Sequence, residues 1–229
     1  MESLTLKKIA HIENGFDSKF GIPRQSGLAK VESTVVFEPP YNDINALRGI
    51  EEYSHLWLIW GFSEAEREEW SPTVRPPRLG GNKKVGVFAT RSPFRPNPLG
   101  LSSVKLEAVT KDKKGRLCLK VLGADLKNNT PIFDIKPYLS FTDCHETAVC
   151  GFSDSVREKE LAVEFEEEIK NGYNAELLKT ITELIAQDPR PAYIENDDRV
   201  YGFKYNNFEI KFKVTGNVAT VKEIKNDKE

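Results

Sequence analysis

Over roughly its first 140 residues the chain alternates short apolar segments with turn residues, and this alternation limits the folds that it can adopt. The segments are rich in β-branched and aromatic residues, and Gly, Pro, Asn and Asp separate them. They are LTLKKIAHI, ESTVVFE, HLWLIWGF, KVGVFA, LSSVKLEAV, RLCLKVLGA and PIFDIK. Such segments are typical of strands, so the pattern predicts a mainly β domain built as a barrel or a strongly curled sheet.

A nucleotide-binding fold of the doubly wound type is disfavoured. No predicted strand is followed by GxGxxG, and the sequence contains no P-loop, GxSxG or HExxH motif. Residues 44–52 (INALRGIEE) predict one helical interlude, with Ile44, Leu47 and Ile50 on one side. His55 stands where a strand begins, which suits one structural hydrogen bond better than a catalytic role.

The pattern changes after about Ser153. Asn174 is a suitable cap for a helix that runs to Gln187, and DPRP follows as a stop signal. Residues 158–169 fit a strand and a helix equally well. The helix places its apolar residues in one stripe, made of Leu177, Leu178, Ile181, Leu184 and Ile185.

A hairpin is predicted next, in the segment RVYGFKYNNFEIKFKV. Asn206 and Asn207 supply its turn, and VATVKEI supplies a third strand. The facing residues are Tyr201, Phe203 and Tyr205 on one strand and Phe208, Ile210 and Phe212 on the other. We therefore expect two domains, a β-barrel over 1–152 and a small α+β domain over 153–229.

The longest apolar run, LWLIWGF, is far shorter than the roughly 20 residues of a membrane span. The first residues are polar and lack the apolar core of a secretory signal, so a cytoplasmic protein without membrane contact is expected. The three cysteines have no CxxC spacing, and only His145 stands beside them. This favours reduced thiols over a metal site, and no metal is expected.

The segment from Ser71 to Lys105 contains seven basic residues and no Asp or Glu, although the whole chain has a net charge of −2. Such a strip is typical of a surface that binds phosphate, whether of RNA or of a small ligand. A solubilising loop is the alternative. The basic residues are Arg75, Arg78, Lys83, Lys84, Arg91, Arg95 and Lys105.

Three irregular polar segments combine Pro or Gly with hydrogen-bonding side chains. They are FGIPRQSG, RPPRLGGNKK together with ATRSPFRPNPLG, and ADLKNNTPIFDIKPY. Stiff loops hold backbone groups in place as ligands without a large entropic cost, so a small-ligand or RNA pocket on a β scaffold is predicted. Simple turns and a surface ion pair between Asp134 and Lys136 are the alternatives.

These segments, with EEYSHLWLIWGF and AQDPRPAY, resemble the successive signatures of the TsaA-like, or TrmO, family. The resemblance covers nearly the whole chain. It implies an S-adenosylmethionine-dependent methyltransferase that acts on N6 of N6-threonylcarbamoyladenosine at position 37 of threonine tRNA. It also implies a single β-barrel rather than a Rossmann sheet, a cofactor site near a homodimer interface, and a small C-terminal domain.

The resemblance also implies cofactor-binding positions. The sequence departs from the family pattern at two of them: Ser63-Glu64 replaces the frequent His-Gln, and Asn128-Asn129 replaces the frequent Asp-Gly. Backbone contacts would survive both changes, whereas a side-chain role of the missing His would not. The matching positions are Pro23, Arg24, Gln25, Ser63, Glu64, Arg91, Leu101, Lys127, Asn128, Asn129 and Thr130.

Methyl transfer to nitrogen requires alignment of the acceptor with the methyl group and removal of a proton. The methyl donor is a cation, so Arg91 suits the cofactor carboxylate or an RNA phosphate. Asp134 and Tyr138 are the candidate proton acceptors, and a path through the carbamoyl group is the alternative. The threonylcarbamoyl carboxylate would need a cation, for which Arg24, Arg95 and Lys136 are candidates.

Contact with RNA would use the basic strip and the C-terminal DPRPAY segment, where Arg190 would meet phosphate and Tyr193 would stack on a base. The residues expected on the substrate side are Arg75, Arg78, Lys83, Arg95, Lys136, Arg190 and Tyr193. Two other classes of protein remain open. A non-catalytic module that binds S-adenosylmethionine or RNA is one, and an interaction protein that exposes Phe208 and Phe212 is the other.

Overall fold

The mainly β architecture predicted from the sequence is confirmed in the computed structural model, which describes residues 3–65, 69–155, 160–190 and 199–227. The strands are β1 (Ala10–Glu13), β2 (Glu32–Phe37), β3 (His55–Gly61), β4 (Thr73–Val74), β5 (Val85–Gly86), β6 (Leu99–Lys111), β7 (Leu117–Leu122), β8 (Pro131–Pro137), β9 (Ala162–Phe165), β10 (Val200–Tyr205), β11 (Phe208–Thr215) and β12 (Val218–Asn226). The helices are α1 (Ser140–Asp143), α2 (Phe152–Ser155), α3 (Glu167–Gly172) and α4 (Ala175–Ala186).

Six strands of the N-terminal part form one sheet in the order β1-β2-β7-β6-β3-β8, and β8 pairs back to β1 so that the sheet closes on itself. All neighbouring strands in it are antiparallel. Burial alternates along β3. Leu56, Leu58 and Trp60 are buried, whereas Trp57 and Ile59 lie half-buried on the other side. A period of two residues gives each strand one apolar face, and closure gives those faces a shared interior.

A second sheet has the order β10-β11-β12-β9, with β9 parallel to β12 and the other pairs antiparallel. The predicted hairpin is confirmed, because Tyr201 pairs with Phe212 and Tyr205 pairs with Phe208. Asn206 has a φ of 53°, the left-handed conformation that a tight turn requires. Phe212 is fully buried, which disfavours the interaction protein that would expose it, whereas Phe208 is only half-buried and packs at the edge of the same core.

The predicted C-terminal helix is α4. Its cap is Asn174, whose side chain accepts a hydrogen bond from the backbone amide of Leu177 across 2.8 Å. The apolar stripe packs onto the second sheet and buries Ile181 and Ile185 completely. Both structures predicted for the ambiguous stretch 158–169 occur in it. Ala162–Phe165 form strand β9, and helix α3 begins at Glu167.

The core of the second sheet also receives residues from far earlier in the chain. Phe16, Ala29 and Val31 are buried in it, and Gly21 lies under the ring of Phe203. A Cβ added at Gly21 would lie 2.6 Å from that ring, and the φ of 96° already favours glycine there. The segment between β1 and β2 therefore joins the closed sheet to the C-terminal part.

Three local predictions were wrong in extent. Strand β1 covers only the end of LTLKKIAHI, and KVGVFA forms the two-residue strand β5 followed by a 3-10 turn at Val87–Ala89. The interlude at 44–52 consists of two 3-10 turns, in which Leu47 is buried but Ile44 is 56% exposed. The 44–52 interlude connects β2 to β3, and Val87–Ala89 follows β5 in the connection to β6.

No helix in the described part of the chain is long and apolar enough to cross a membrane. Cys118 is buried, and Cys144 and Cys150 are exposed; all three are free thiols. Among the described residues, no group of three or more His, Cys, Asp or Glu side chains is placed to hold a metal ion. His55 pairs through Nδ1 with the Ser54 hydroxyl at 2.9 Å, a structural hydrogen bond of the kind predicted for it.

Candidate functional site

The start of β6 approaches β3 unusually closely. Gly100 pairs with Trp60, and a Cβ added at Gly100 would lie 2.2 Å from the indole ring. Only glycine leaves room for the ring at this point, because real Cβ atoms do not approach other atoms so closely. The close packing places the Trp60 indole Nε1 at 2.9 Å from the Ser102 hydroxyl, to which it donates a hydrogen bond.

Ser102 continues this interaction to a carboxylate. Its hydroxyl donates a hydrogen bond to Asp125 Oδ1 across 2.5 Å, and Asp125 follows directly after the end of β7 and its turn. Burial raises the pKa of Asp125 above its ordinary value, although the Ser102 hydrogen bond and the positive charge of Arg91 act in the opposite direction. A carboxylate held in this way is a candidate functional group.

Asp125 was missed in the sequence, although it lies inside the polar segment ADLKNNTPIFDIKPY. The resemblance directed attention to Lys127 and the three residues after it. The available signal was the lone acid between two apolar residues, Ala124 and Leu126, both of which are fully buried. An acid between two buried residues is itself shielded from water, so it needs a hydrogen-bonding or charged partner inside the protein.

The loop that contains Pro23, Arg24 and Gln25 lies beside Asp125. The Gln25 side-chain carbonyl accepts a hydrogen bond from the Arg91 guanidinium, so two predicted cofactor residues meet directly. The next residue, Ser26, accepts a hydrogen bond from the Ser103 backbone amide across 3.2 Å and directs its own amide to Asp125. The loop, Arg91, the start of β6 and Asp125 therefore form one cluster, which we call the Asp125 cluster.

Arg24 connects this loop to the C-terminal part. Its guanidinium donates a hydrogen bond to the backbone carbonyl of Asp188, just after α4, and the preceding Pro23 is buried. The Asp188 carboxylate in turn receives two hydrogen bonds from Arg190, at 2.7 and 2.8 Å. A half-buried Arg190 in this bidentate pair is less available to phosphate than was expected. Tyr193 lies outside the described residues.

The predicted cofactor residues after Leu126 meet those after β3. Lys127 forms an ion pair with Glu64, whose other oxygen lies 3.2 Å from Lys19. The hydrogen bond from Lys127, followed by that from Lys19, holds the pKa of Glu64 below its ordinary value. Ser63 is exposed beside this ion pair. Glu64 and Lys127 thus bind each other, and their contact with the cofactor stays a prediction.

Asn128, Asn129 and Thr130 have mainly structural contacts. The Asn128 amide donates to the Asp17 carboxylate across 3.0 Å, and Thr130 is buried. Asn129 has a φ of 64°, a conformation that Asn tolerates better than most residues and that Gly adopts without strain. Replacement of a family Asp-Gly by Asn-Asn therefore keeps the turn.

The candidate proton acceptors lie on the outside of the closed sheet. Asp134 forms an ion pair with Lys136 at 3.2 Å, as the structural alternative predicted. Tyr138 packs on Trp57 with ring centroids 5.4 Å apart, and burial raises its pKa above the ordinary value, which disfavours proton acceptance by the phenol. Among the described contacts, none joins Asp134 or Tyr138 to the Asp125 cluster.

A surface cavity of about 320 Å³ on this outer side includes one predicted cofactor residue, Leu101, which is 57% exposed. Leu101 directly precedes Ser102, so the cavity and the Asp125 cluster lie on the two sides of β6. Asp143 accepts a hydrogen bond from the Trp57 indole across 2.8 Å at the cavity wall. The lining residues are Trp57, Ile59, Leu101, Lys136, Thr142, Asp143 and His145.

Members of the basic strip differ in their exposure. Arg75 and Lys83 are exposed, whereas the half-buried Arg95 donates a hydrogen bond to the Thr90 backbone carbonyl across 3.1 Å. This contact shows that Arg95 stabilises its own loop. The side chain of Arg78 lies outside the part of the structure that is described.

Comparisons with known proteins cover both parts of the chain. Residues 11–144 match the model of the tRNA-methyltransferase O N-terminal domain, and residues 158–227 match that of the TrmO C-terminal domain. A tRNA (adenine(37)-N6)-methyltransferase of Escherichia coli is 40% identical over 224 residues, which are 94% of this chain and 95% of that protein.

Two Pseudomonas aeruginosa comparisons agree with these. The protein RcsF, named as an S-adenosylmethionine-dependent methyltransferase, is 40% identical over 87% of this chain and 88% of its own length. A crystal structure of TrmO has a TM-score of 0.75 at 30% identity and covers 97% of this chain and 99% of its own. With both family models matched, the chain belongs to the tRNA-methyltransferase O family of enzymes.

Proposed function

We propose that the chain transfers the methyl group of S-adenosylmethionine to N6 of adenosine 37 in tRNA. The observation that carries this proposal is the Asp125 cluster, which assembles three segments distant in sequence around one carboxylate and one guanidinium. The names of the relatives support the reaction and the cofactor. We further propose N6-threonylcarbamoyladenosine of threonine tRNA as the substrate.

The residues of the Asp125 cluster fit this cofactor. S-adenosylmethionine supplies a reactive methyl group on a sulfonium, and it carries an amino group, a carboxylate and an adenosine. Arg91 is suited to hold a carboxylate, because a guanidinium binds it through two hydrogen bonds. Asp125 is suited to a cationic or hydroxyl group. Leu101 lies on the other side of β6, so its assignment to the cofactor rests on the family resemblance.

The remaining assignments are proposals of the same kind. The closed sheet, residues 1–152, would hold the cofactor, and residues 153–229 would contact tRNA. The hydrogen bond from Arg24 to Asp188 supports cooperation between these parts, because it links the cofactor loop to the end of α4. The exposed apolar residues Leu99 and Leu101 on β6 support a homodimer with the site near its interface. We place the protein in the cytoplasm, where tRNA is modified.

The test is transfer of a labelled methyl group from S-adenosylmethionine to tRNA isolated from a strain that lacks this gene. We expect the wild-type chain to label tRNA and Arg91→Ala to label it much more slowly. Binding of the cofactor without transfer would instead support a non-catalytic binding module. Equal rates for wild type and Arg91→Ala would remove the Asp125 cluster from the site.

A further inference from the structure

Two aromatic side chains are exposed next to each other where the β4–β5 hairpin leaves the closed sheet. Trp70 is 54% exposed and Phe88 is 72% exposed, with ring centroids 6.2 Å apart and ring planes at 31°. The hairpin holds them there, because Thr73 pairs with Gly86 and the Val87 amide donates to the Pro72 carbonyl across 2.9 Å. We call Trp70 and Phe88 the aromatic pair.

Exposure of both rings costs free energy, because water is a poor solvent for large apolar surfaces. Apolar side chains exposed singly need no explanation, whereas adjacent ones indicate contact with a partner. The rings are held by a short hairpin, so they would lose little conformational freedom on binding. These properties favour a flat, rigid partner group.

The charge around the aromatic pair indicates which partner. Arg75, Lys83 and Lys84 on the same hairpin are exposed, and among the described residues no carboxylate lies within ion-pair distance of them. Glu69 precedes Trp70, but no acid occurs from Ser71 to Lys105. Aromatic rings among uncompensated cations are the combination that binds single-stranded nucleic acid, in which bases stack and phosphates pair with cations.

We propose that Trp70 and Phe88 stack on unpaired bases of the RNA substrate while Arg75, Lys83 and Lys84 contact its phosphates. This inference rests on the proposed function, in which the substrate is the anticodon loop of a tRNA. The bases of that loop are unpaired and present their faces to a protein. The aromatic pair is then a binding site separate from the Asp125 cluster, and it positions the RNA rather than the cofactor.

Binding of an RNA anticodon stem-loop of threonine tRNA to the full chain tests the proposal. We expect Trp70→Ala and Phe88→Ala each to weaken affinity on the order of 10-fold, and Trp70→Phe to restore most of it because phenylalanine also stacks. Trp70→Ala should leave the salt dependence unchanged, whereas Lys83→Ala should reduce its slope by about one phosphate contact. Ile44→Ala, at a side chain that is 56% exposed outside the basic strip, is the matched control and should bind like wild type.

Two further measurements separate this inference from the proposed function. Affinity for S-adenosylmethionine should be the same in wild type and Trp70→Ala, which also shows that the variant is folded. If wild type binds the stem-loop through the aromatic pair but transfers no methyl group to threonine tRNA that carries threonylcarbamoyladenosine 37, the proposed function fails and this inference stands. Unchanged RNA affinity in the Trp70→Ala, Phe88→Ala double variant overturns the inference. If wild type sediments as an oligomer and the double variant as a smaller species, the aromatic pair is a subunit contact, and the inference is also overturned.

Discussion

The Ser102 hydroxyl lies between the Trp60 indole, from which it accepts a hydrogen bond at 2.9 Å, and the Asp125 carboxylate, to which it donates at 2.5 Å. The hydroxyl thus uses both of its hydrogen-bonding functions on buried or half-buried partners. This arrangement fixes the direction of the Asp125 carboxylate before any ligand is bound. Preorganisation of this kind reduces the conformational cost of binding.

The raised pKa of Asp125 predicts a pH effect on stability. An unfolded Asp titrates near about pH 3.9, so at somewhat higher pH the folded state holds a proton that the unfolded state has released. Raising the pH through this window therefore lowers the contribution of Asp125 to the free energy of unfolding.

The variant Asp125→Asn tests this effect, because it removes the titration and keeps an acceptor for Ser102. We expect the stability of the variant relative to wild type to increase from about pH 4 to about pH 7, measured by urea unfolding. A constant difference across this range would contradict the account.

The contact between Gly100 and Trp60 predicts a packing effect. Gly100→Ala places a methyl group where the indole ring lies, and we expect a loss of about 1–3 kcal/mol in the free energy of unfolding. Gly86→Ala is the matched control, because no atom lies within 4 Å of its added Cβ. The control should change stability by less than about 0.5 kcal/mol. Equal effects of the two substitutions in urea unfolding would show that the Trp60 contact is unimportant.

The contact between Arg91 and Gln25 predicts an effect on the cofactor. Arg91→Ala should weaken affinity for S-adenosylmethionine about 10- to 100-fold, because a hydrogen-bonded charge is lost. Arg91→Lys should recover only part of the affinity, because an ammonium cannot make the two parallel bonds of a guanidinium. Calorimetric titration measures both. Arg48→Ala, at an exposed arginine that contacts Asn45, is the control and should bind like wild type. Full recovery by lysine would mean that only charge matters.

The cap of helix α4 predicts a stability effect far from the site. Asn174→Ala should lower the free energy of unfolding by about 1 kcal/mol, because the Leu177 amide loses its acceptor. Asn174→Asp keeps a capping oxygen and should stay near wild type. Methyl transfer at low temperature should be the same in all three proteins. Loss of activity in Asn174→Ala without loss of stability would indicate a direct role of this residue in RNA binding.

Elements of the fold with a strong period were predictable from the sequence. Strand β3 lies in the predicted segment HLWLIWGF. Helix α4 buries Ile181, Leu184 and Ile185 of the predicted stripe, and Asn206 forms the predicted turn. Prediction failed where pairing across the sheet decides the outcome. KVGVFA has the composition of a strand, but only Val85–Gly86 finds a partner, and the rest turns away.

The candidate site was predictable where a motif points to one residue, and less so where two distant residues meet. Arg91 and Gln25 were both identified, but their contact spans 66 positions of sequence and no local pattern indicates it. Asp125 was missed because its burial and its Ser102 partner arise only in the folded chain. The sequence predicted that Arg190 binds phosphate, whereas in the structure it pairs with Asp188. That pairing depends on the backbone turn at Asp188, where φ is 46°, and no sequence pattern indicated the turn.

The central claim is methylation of adenosine 37 in threonine tRNA, and nucleoside mass spectrometry tests it most directly. The purified chain is incubated with S-adenosylmethionine and threonine tRNA that carries, or lacks, the threonylcarbamoyl group. We predict N6-methylation of threonylcarbamoyladenosine in the first tRNA by wild type, and strongly reduced product with Asp125→Ala. An unmethylated threonylcarbamoylated tRNA, under conditions in which the wild-type chain binds S-adenosylmethionine, would contradict the account.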